Sequence, residues 1–516
     1  MSQPDTDQHR EEDLTGQERM TWNVVVSWAS QLITIALGFV LPRMIDEQLS
    51  QVSLGIWDFG WAIVSYLTIV DFGVGSNAAR YVAQFRIEGL PTRLNEVVSS
   101  AHFVQVLVSV TVVILTLIAF ALLGHWLPGG MEAHVDDARY LVLLLGLGFA
   151  VQMYFDAYRG VLTGCHRWDV HSAINSLQNI LAAIGMVTVL LNGYGLISLA
   201  MTYFAASTLA EVARFLAARH YCPEARPRFT LVNRSDLEKV ALFGFKNVLV
   251  MAGPLVVQQT MNMLITMRLG PAMLAVFVRP TAIIRHLESF IFKFAFVLLP
   301  MASSLQQQGR QDDLRDFAIE TSRVGWALAV PGGVFLLVMG PQLIELWMGP
   351  GYVVHELIMI LAVGGTLSAA NRPAYRILFG LDHHGAASAA SLVIYGSVLV
   401  CGLVAMLLFD GGLATAAVIF VVGDLLFGLI VVPHQLAKSL GMTWWHYLWT
   451  VSHRVLFIGL FSYVVLKVVH FSLQGTLLIE LLSGIAVHGA VVGVLYWRLV
   501  LTDGLKASIR KLILRR

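Results

Sequence analysis

The sequence predicts an all-α polytopic membrane protein of about fourteen transmembrane helices, built as two six-helix lobes followed by an additional helix pair. Three observations lead there. Hydrophobic residues make up 57% of 516 and charged residues only 13%, with a mean hydropathy of +0.71, whereas soluble domains run near about 45–50% apolar and about 25% charged. Apolar runs long enough to cross about 30 Å of hydrocarbon recur fourteen times along the chain. Part of the chain also matches itself at an offset of 220 residues.

Taken in order, residues 1–20 are polar and acid-rich (Asp5, Asp7, Glu11, Glu12, Asp13, Glu18) and hold no apolar run and no cleavage site. This is not a secretory signal. It reads as a disordered cytoplasmic tail, with Trp22 onwards an uncleaved first span. Spans are placed near 21–44, 54–80, 97–123, 139–160, 170–191, 195–218, 240–267, 272–300, 318–345, 355–380, 386–409, 413–433, 450–470 and 475–498. Most connections are short and turn at Pro, Gly or Asn, as in Leu127-Pro128-Gly129-Gly130, Asn192-Gly193 and Asp410-Gly411-Gly412. The domains that follow are an N-terminal lobe 21–218, a basic cytoplasmic linker 219–239, a C-terminal lobe 240–437, the helix pair 438–499 and a basic cytoplasmic tail 500–516.

Lysine and arginine orient the bundle. Of 34, 25 fall in the N-terminal tail, the loops that follow even-numbered spans, or the C-terminal tail. Cytoplasmic loops collect positive charge, so both termini are expected in the cytoplasm. The net charge of +1 adds nothing to this. The three cysteines (Cys165, Cys222, Cys401) are scattered and lack CxxC spacing, which indicates neither a disulfide framework nor a metal site.

The repeat aligns span two with span eight. Leu54, Ala62, Ile63, Leu67 and Phe72 meet Leu274, Ala282, Ile283, Leu287 and Phe292, and the register continues to Gly89 with Gly309 and Leu94 with Leu314. Tyr158-Arg159 after span four is echoed by Tyr375-Arg376 after span ten. Six spans separate the copies, so both start on the same side: a parallel repeat, which is a transporter architecture.

The most informative segment is Pro271–Leu305, apolar yet carrying Arg279, Arg285, His286, Glu288 and Lys293. Each mid-membrane charge costs about 2.5–3.5 kcal/mol on insertion scales, so such residues face a wet pathway or a partner. Arg279, His286 and Lys293 are seven apart and drift only about 20° per step, forming one stripe with rises of about 10 Å. Arg285 and Glu288, three apart on another face, can pair with each other. Asp58 and Asp71 of span two match the depths of Arg279 and Lys293 by the repeat register and are the expected counter-charges. The alternative is that all these charges are salt-bridged between helices and merely orient the bundle.

Other polar groups within spans are Lys246, Gln258, Gln259 and Asn262 in span seven, and Gln31 and Thr34 in span one. Amides in spans are often interhelical glue. Gly253-Pro254 should bend span seven, because proline removes a backbone donor. Glu211 is expected to pair with Arg214. His383-His384 has no accompanying ligand set, and Arg372-Pro373 and Arg376 are accounted for by the positive-inside rule.

No Walker loop, HExxH or GxSxG occurs, and no loop is long enough for a catalytic domain. The reading is a transporter and not an enzyme, without cofactor or metal, driven by H+ or Na+ coupling or by the membrane potential. A basic lining favours an anionic substrate, because guanidinium groups grip phosphate oxygens bidentately. An inside-negative potential assists its outward movement by about 2.3 kcal/mol per charge per 100 mV. His286, with an ordinary pKa near about 6.5, is a candidate proton carrier.

Leu54-Gly55-Ile56-Trp57, Tyr66 through Asp71-Phe72-Gly73-Val74-Gly75 and Ala79-Arg80-Tyr81-Val82 resemble the second-span signature of Wzx-type polysaccharide flippases of the multidrug/oligosaccharidyl-lipid/polysaccharide (MOP) exporter superfamily. Gly160-Val161-Leu162-Thr163-Gly164 with Arg167 is similar to the same family's pattern after span four. The resemblance implies two lobes in a V around a central cavity, working by alternating access in a bacterial inner membrane. The implied substrate is an undecaprenyl-pyrophosphate-linked oligosaccharide, turned from the cytoplasmic to the outer leaflet. Arg279, Arg285, His286 and Lys293 would bind it, joined by Lys246, Gln258 and Asn262, with Asp58, Asp71 and Glu288 as gating counter-charges. Fourteen spans are like the lipid II flippase branch, so peptidoglycan-precursor flipping is one alternative; a drug or metabolite antiporter is the other. The expected partners are the lipid-linked glycan, membrane lipids, a polysaccharide polymerase and glycosyltransferases. No nucleic-acid partner is expected, and the protein is expected to be a monomer.

Overall fold

A computed structural model describes residues 20–71, 74–125, 132–296, 298–381, 385–473, 475–500 and 506. The expected tails (apart from residues 20, 500 and 506), the turn at 127–130, Phe72-Gly73 and His383-His384 lie outside the described residues, as does the side chain of Lys246.

The described chain is helical throughout, because a backbone in hydrocarbon must satisfy its own hydrogen bonds. Twelve helices among the described residues are long and apolar enough to cross a membrane. Spans seven and eight also form helices, but they fall outside this set. Span eight carries Arg279, Arg285, Glu288 and Lys293.

The chain divides into two compact units, Met1–Ala252 and Gly253–Arg516. The first contains α1 (Met20–Gln48), α2 (Gln51–Leu67), α3 (Val74–Ile87), α4 (Pro91–Leu123), α5 (Val135–Gly164), α6 (Trp168–Leu191), α7 (Leu196–Tyr221) and the start of α8 (Arg234–Leu269). Here α5 is the hub: α2, α3, α4 and α7 pack on it, and α1 packs on α6. Its inward face is built of small and aliphatic residues, with Ala138, Leu141, Leu145, Gly146 and Met153 all buried. Pro91 opens α4 at a position where its missing N–H costs nothing.

The second unit holds the rest of α8 and then α9 (Pro271–Phe296), α10 (Leu298–Gln307), α11 (Gln311–Met348), α12 (His355–Ala370), α13 (Arg372–Gly380), α14 (Gly385–Leu408), α15 (Leu413–Leu425), α16 (Val432–Ser439), α17 (Trp444–Ser472) and α18 (Leu477–Leu499). A π-helical turn, Leu426–Val431, joins α15 to α16. Pro254 and Pro280 lie inside α8 and α9, and Gly270 separates these helices with φ of +89°, a conformation glycine adopts without a Cβ penalty. α12 packs on α9, α11 and α15, α13 packs on α10, and α17 and α18 pack on α11.

Two close helix contacts recur in both units. A Cβ added at Gly164 would lie 2.7 Å from the Ala79 carbonyl oxygen, and one at Gly380 would lie 2.6 Å from that of Leu299. Ala79 and Leu299 stand at the 220-residue offset. Thr116 of α4 fills the space beside Gly146 of α5, whereas in the second unit Gly333 of α11 faces Thr366 of α12. One close helix crossing is kept with the large and small partners exchanged.

Candidate functional site

The cation stripe lies on α9 with graded exposure. Arg279 is buried, 3% exposed, while His286 and Lys293 are half-buried and Arg285 is exposed. Asp58 on α2 and Asp71, which follows it, are half-buried. In α8, Gln259 and Asn262 are buried and Gln258 half-buried. The Asn262 amide donates to Gln259 Oε1 at 3.0 Å within the same helix, so this pair satisfies itself locally.

The expected Arg285–Glu288 pair is corrected. Glu288 instead accepts from Arg372 Nη2 of α13 at 3.3 Å, with Arg285 a weaker electrostatic neighbour. Helix packing turns Glu288 toward α13 and leaves Arg285 exposed. The same finding revises Arg372, which is more than a positive-inside residue: Asp424 also acts on it, and Tyr395 OH donates to Asp424 Oδ1 at 2.5 Å. Asp424 is the penultimate residue of α15, just before the π-helical turn. Such turns frequently mark functional positions. Gly253 and Gly423 leave the room that the Tyr395 ring occupies. The second unit therefore carries a polar knot of two acids, an arginine and a tyrosine drawn from α9, α13, α14 and α15.

The first unit holds a counterpart. Arg159 Nε meets Asp156 Oδ1 at 2.5 Å, and Gln105 of α4 donates to Asp156 Oδ2 at 3.1 Å. On α7, Glu211 pairs with Arg214 as expected, both buried. Arg214 Nη2 also donates to Asn175 Oδ1 of α6 at 2.7 Å, and the Asn175 amide meets His171 Nε2 at 3.2 Å. A Cβ at Gly75 would collide with Asp156 and Arg159, so the bare backbone of α3 is what admits this pair. Sequence reading missed Asp156. Its i, i+3 spacing to Arg159 is the signal that could have found it.

Cys165 and Cys222 lie side by side, with Cα atoms 6.6 Å apart, a proximity their scattered spacing did not indicate. They cap the C-terminal ends of α5 and α7, which the packing brings together although 57 residues separate them. Among the described residues no cluster of three or more His, Cys, Asp or Glu is placed to hold a metal ion.

A family described as "Polysaccharide biosynthesis protein" matches residues 14–306, more than half of the chain. Among curated proteins none matches. Solved structures similar to the chain include the inward-facing form of a multidrug resistance MATE family transporter of the MOP superfamily, with 14% identity, 81% of this chain and 98% of that chain covered, and a TM-score of 0.62. The lipid II flippase MurJ in an inward closed conformation is similar at 14% identity, with 93% and 100% covered and a TM-score of 0.67. A MOP superfamily transporter from Pyrococcus furiosus, described as having a binding pocket of reverse polarity, is similar at 14% identity, with 84% and 98% covered and a TM-score of 0.60. The fold is that of the MOP transporters.

Proposed function

The chain belongs to the polysaccharide biosynthesis protein family, and from that premise we propose that it is a flippase for a lipid-linked oligosaccharide, working by alternating access and without a catalytic step of its own. The cargo we propose is an undecaprenyl-pyrophosphate-linked glycan, moved from the cytoplasmic to the outer leaflet of a bacterial inner membrane, with both termini of the chain cytoplasmic. The observation that carries the reading is the α9 stripe of Arg279, His286 and Lys293, which lies inside the matched region and includes no acid of its own. Arg279 and Lys293, about 21 Å apart along α9 with the His286 imidazole between them, offer cations to a diphosphate and a polar group to the sugars beyond it.

The additional pair α17–α18 favours a second reading, in which the cargo is a peptidoglycan precursor. Both cargoes present a polyprenyl diphosphate, so the stripe has the same task in each.

The test is leaflet accessibility of a fluorescent lipid-linked glycan in vesicles reconstituted with wild type, Arg279→Ala, Lys293→Ala and Arg279→Lys. Loss of a hydrogen bond to a charged group is worth about 1.5–3 kcal/mol, so each alanine variant should slow flipping by roughly tenfold or more. Arg279→Lys keeps the charge and should fall between. Unchanged flipping in both alanine variants would sink the assignment, and a peptidoglycan precursor flipped faster than other glycans would select the second reading.

A further inference from the structure

His488 of α18 bonds Ser462 of α17 at 2.6 Å and the Pro331 carbonyl of α11 at 3.0 Å, which ties the pair together and to α11. At the N-terminal end of α17 and the C-terminal end of α18 lies a groove of about 560 Å³ lined by Trp449, His453, Arg454, Phe457, Arg498 and Leu499. Arg454 is held there by donating to the Leu499 carbonyl at 3.1 Å. Arg323 of α11, which donates to the Thr450 carbonyl at 3.3 Å, adds a third positive charge close enough to act on Arg454; Glu320 is the acid that acts on Arg323. Among the described residues that line the groove none is acidic. Trp449, Phe457 and Leu499 leave large apolar areas exposed beside these cations.

The groove's depth follows from the pattern on α17. Exposed apolar residues run from Phe457 through Leu460, Phe461, Val464 and Val468 to Phe471, a rise of about 21 Å. Trp444, Trp445 and Trp449 precede that run, as tryptophans do at the membrane–water boundary. Arg454 and Arg498 therefore stand where headgroups meet hydrocarbon, on the side toward which the basic loops project.

We propose that this groove binds an anionic glycerophospholipid of that leaflet, its phosphate held by Arg454 and Arg498 and an acyl chain laid along Trp449, Phe457 and Leu499. Guanidinium pairs match phosphate geometry, and the exposed apolar surface on either side places the groove against bulk lipid. The site is separate from the α9 stripe and its assignment does not depend on the proposed cargo.

Purified full-length protein is equilibrated with equal amounts of phosphatidylglycerol and phosphatidylcholine, and retained lipid is read by native mass spectrometry. Wild type should prefer phosphatidylglycerol by roughly tenfold. Arg498→Gln, which removes no hydrogen bond among the described residues, should lower the preference several-fold, and R454Q/R498Q should abolish it. R454K/R498K should keep most of it. Equal retention of the two lipids by wild type, or an undiminished preference in R498Q and the double glutamine variant, overturns the proposal. So does displacement of phosphatidylglycerol by equimolar polyprenyl diphosphate, which would assign the groove to the cargo.

Discussion

Replacing Arg214 by alanine tests whether the polar knot of the first unit holds its helices together. Glu211 and Arg214 are 2% and 3% exposed, so the variant strands a buried carboxylate and also takes the donor from Asn175 on α6. Two unit charges about 4 Å apart at an effective dielectric near 20 attract by about 4 kcal/mol. Removing one partner of a buried pair costs about 3–5 kcal/mol by measurement elsewhere. The two estimates agree, so Arg214→Ala should lower the unfolding free energy by about that amount. The assay is titration of purified protein from mild detergent into SDS, followed by tryptophan fluorescence. The double variant E211L/R214M removes both charges at similar volume and should recover most of the loss, because apolar replacements of buried pairs are often neutral or better. A loss below about 1 kcal/mol for Arg214→Ala, or a double variant as unstable as the sum of its singles, would refute the reasoning.

Three further outcomes are expected from the same framework. Tyr395→Phe removes the hydroxyl bonded to Asp424 and should cost about 1.5–3 kcal/mol in that titration, since the acceptor is a carboxylate; an unchanged midpoint contradicts the knot. Gly364→Ala drives a methyl group into the Val421 side chain and should destabilise by about 1–3 kcal/mol, with V421A in the same chain restoring part of it; additive losses would mean that the two do not share the space. His488→Ala severs α18 from Ser462 and the Pro331 carbonyl, so amide exchange in α18 should accelerate while exchange in α5 stays as it was; α18 exchange equal in the variant and wild type would remove that role.

Much of the fold was legible because the bilayer imposes its rules locally. The long runs at 97–123 and 139–160 became α4 and α5, with extents differing by several residues at the ends. The Glu211–Arg214 pair was legible as well, being one turn apart on one helix. Less legible was the breaking of long spans: residues 355–380 divide at Asn371 into α12 and α13, and the segment after Leu413 passes through a π-helical turn. Of the site, the α9 charges could be found by residue type alone. Their partners could not: Glu288 reaches 84 residues along the chain to Arg372 and passes over the arginine three positions away. Asp424 and Tyr395, 29 residues apart, offered no spacing that sequence periodicity would register.

By itself, then, the sequence determined the helical class, most of the apolar segments and the presence of a cationic helix. Each depends on composition within one segment, measured against a hydrocarbon layer of nearly constant thickness and an unforgiving demand for backbone hydrogen bonds. Tertiary structure decided which charges meet. That depends on the rotation of each helix about its axis and on where glycines such as Gly75 let neighbours approach, and a side chain that misses by one turn is about 5.4 Å away.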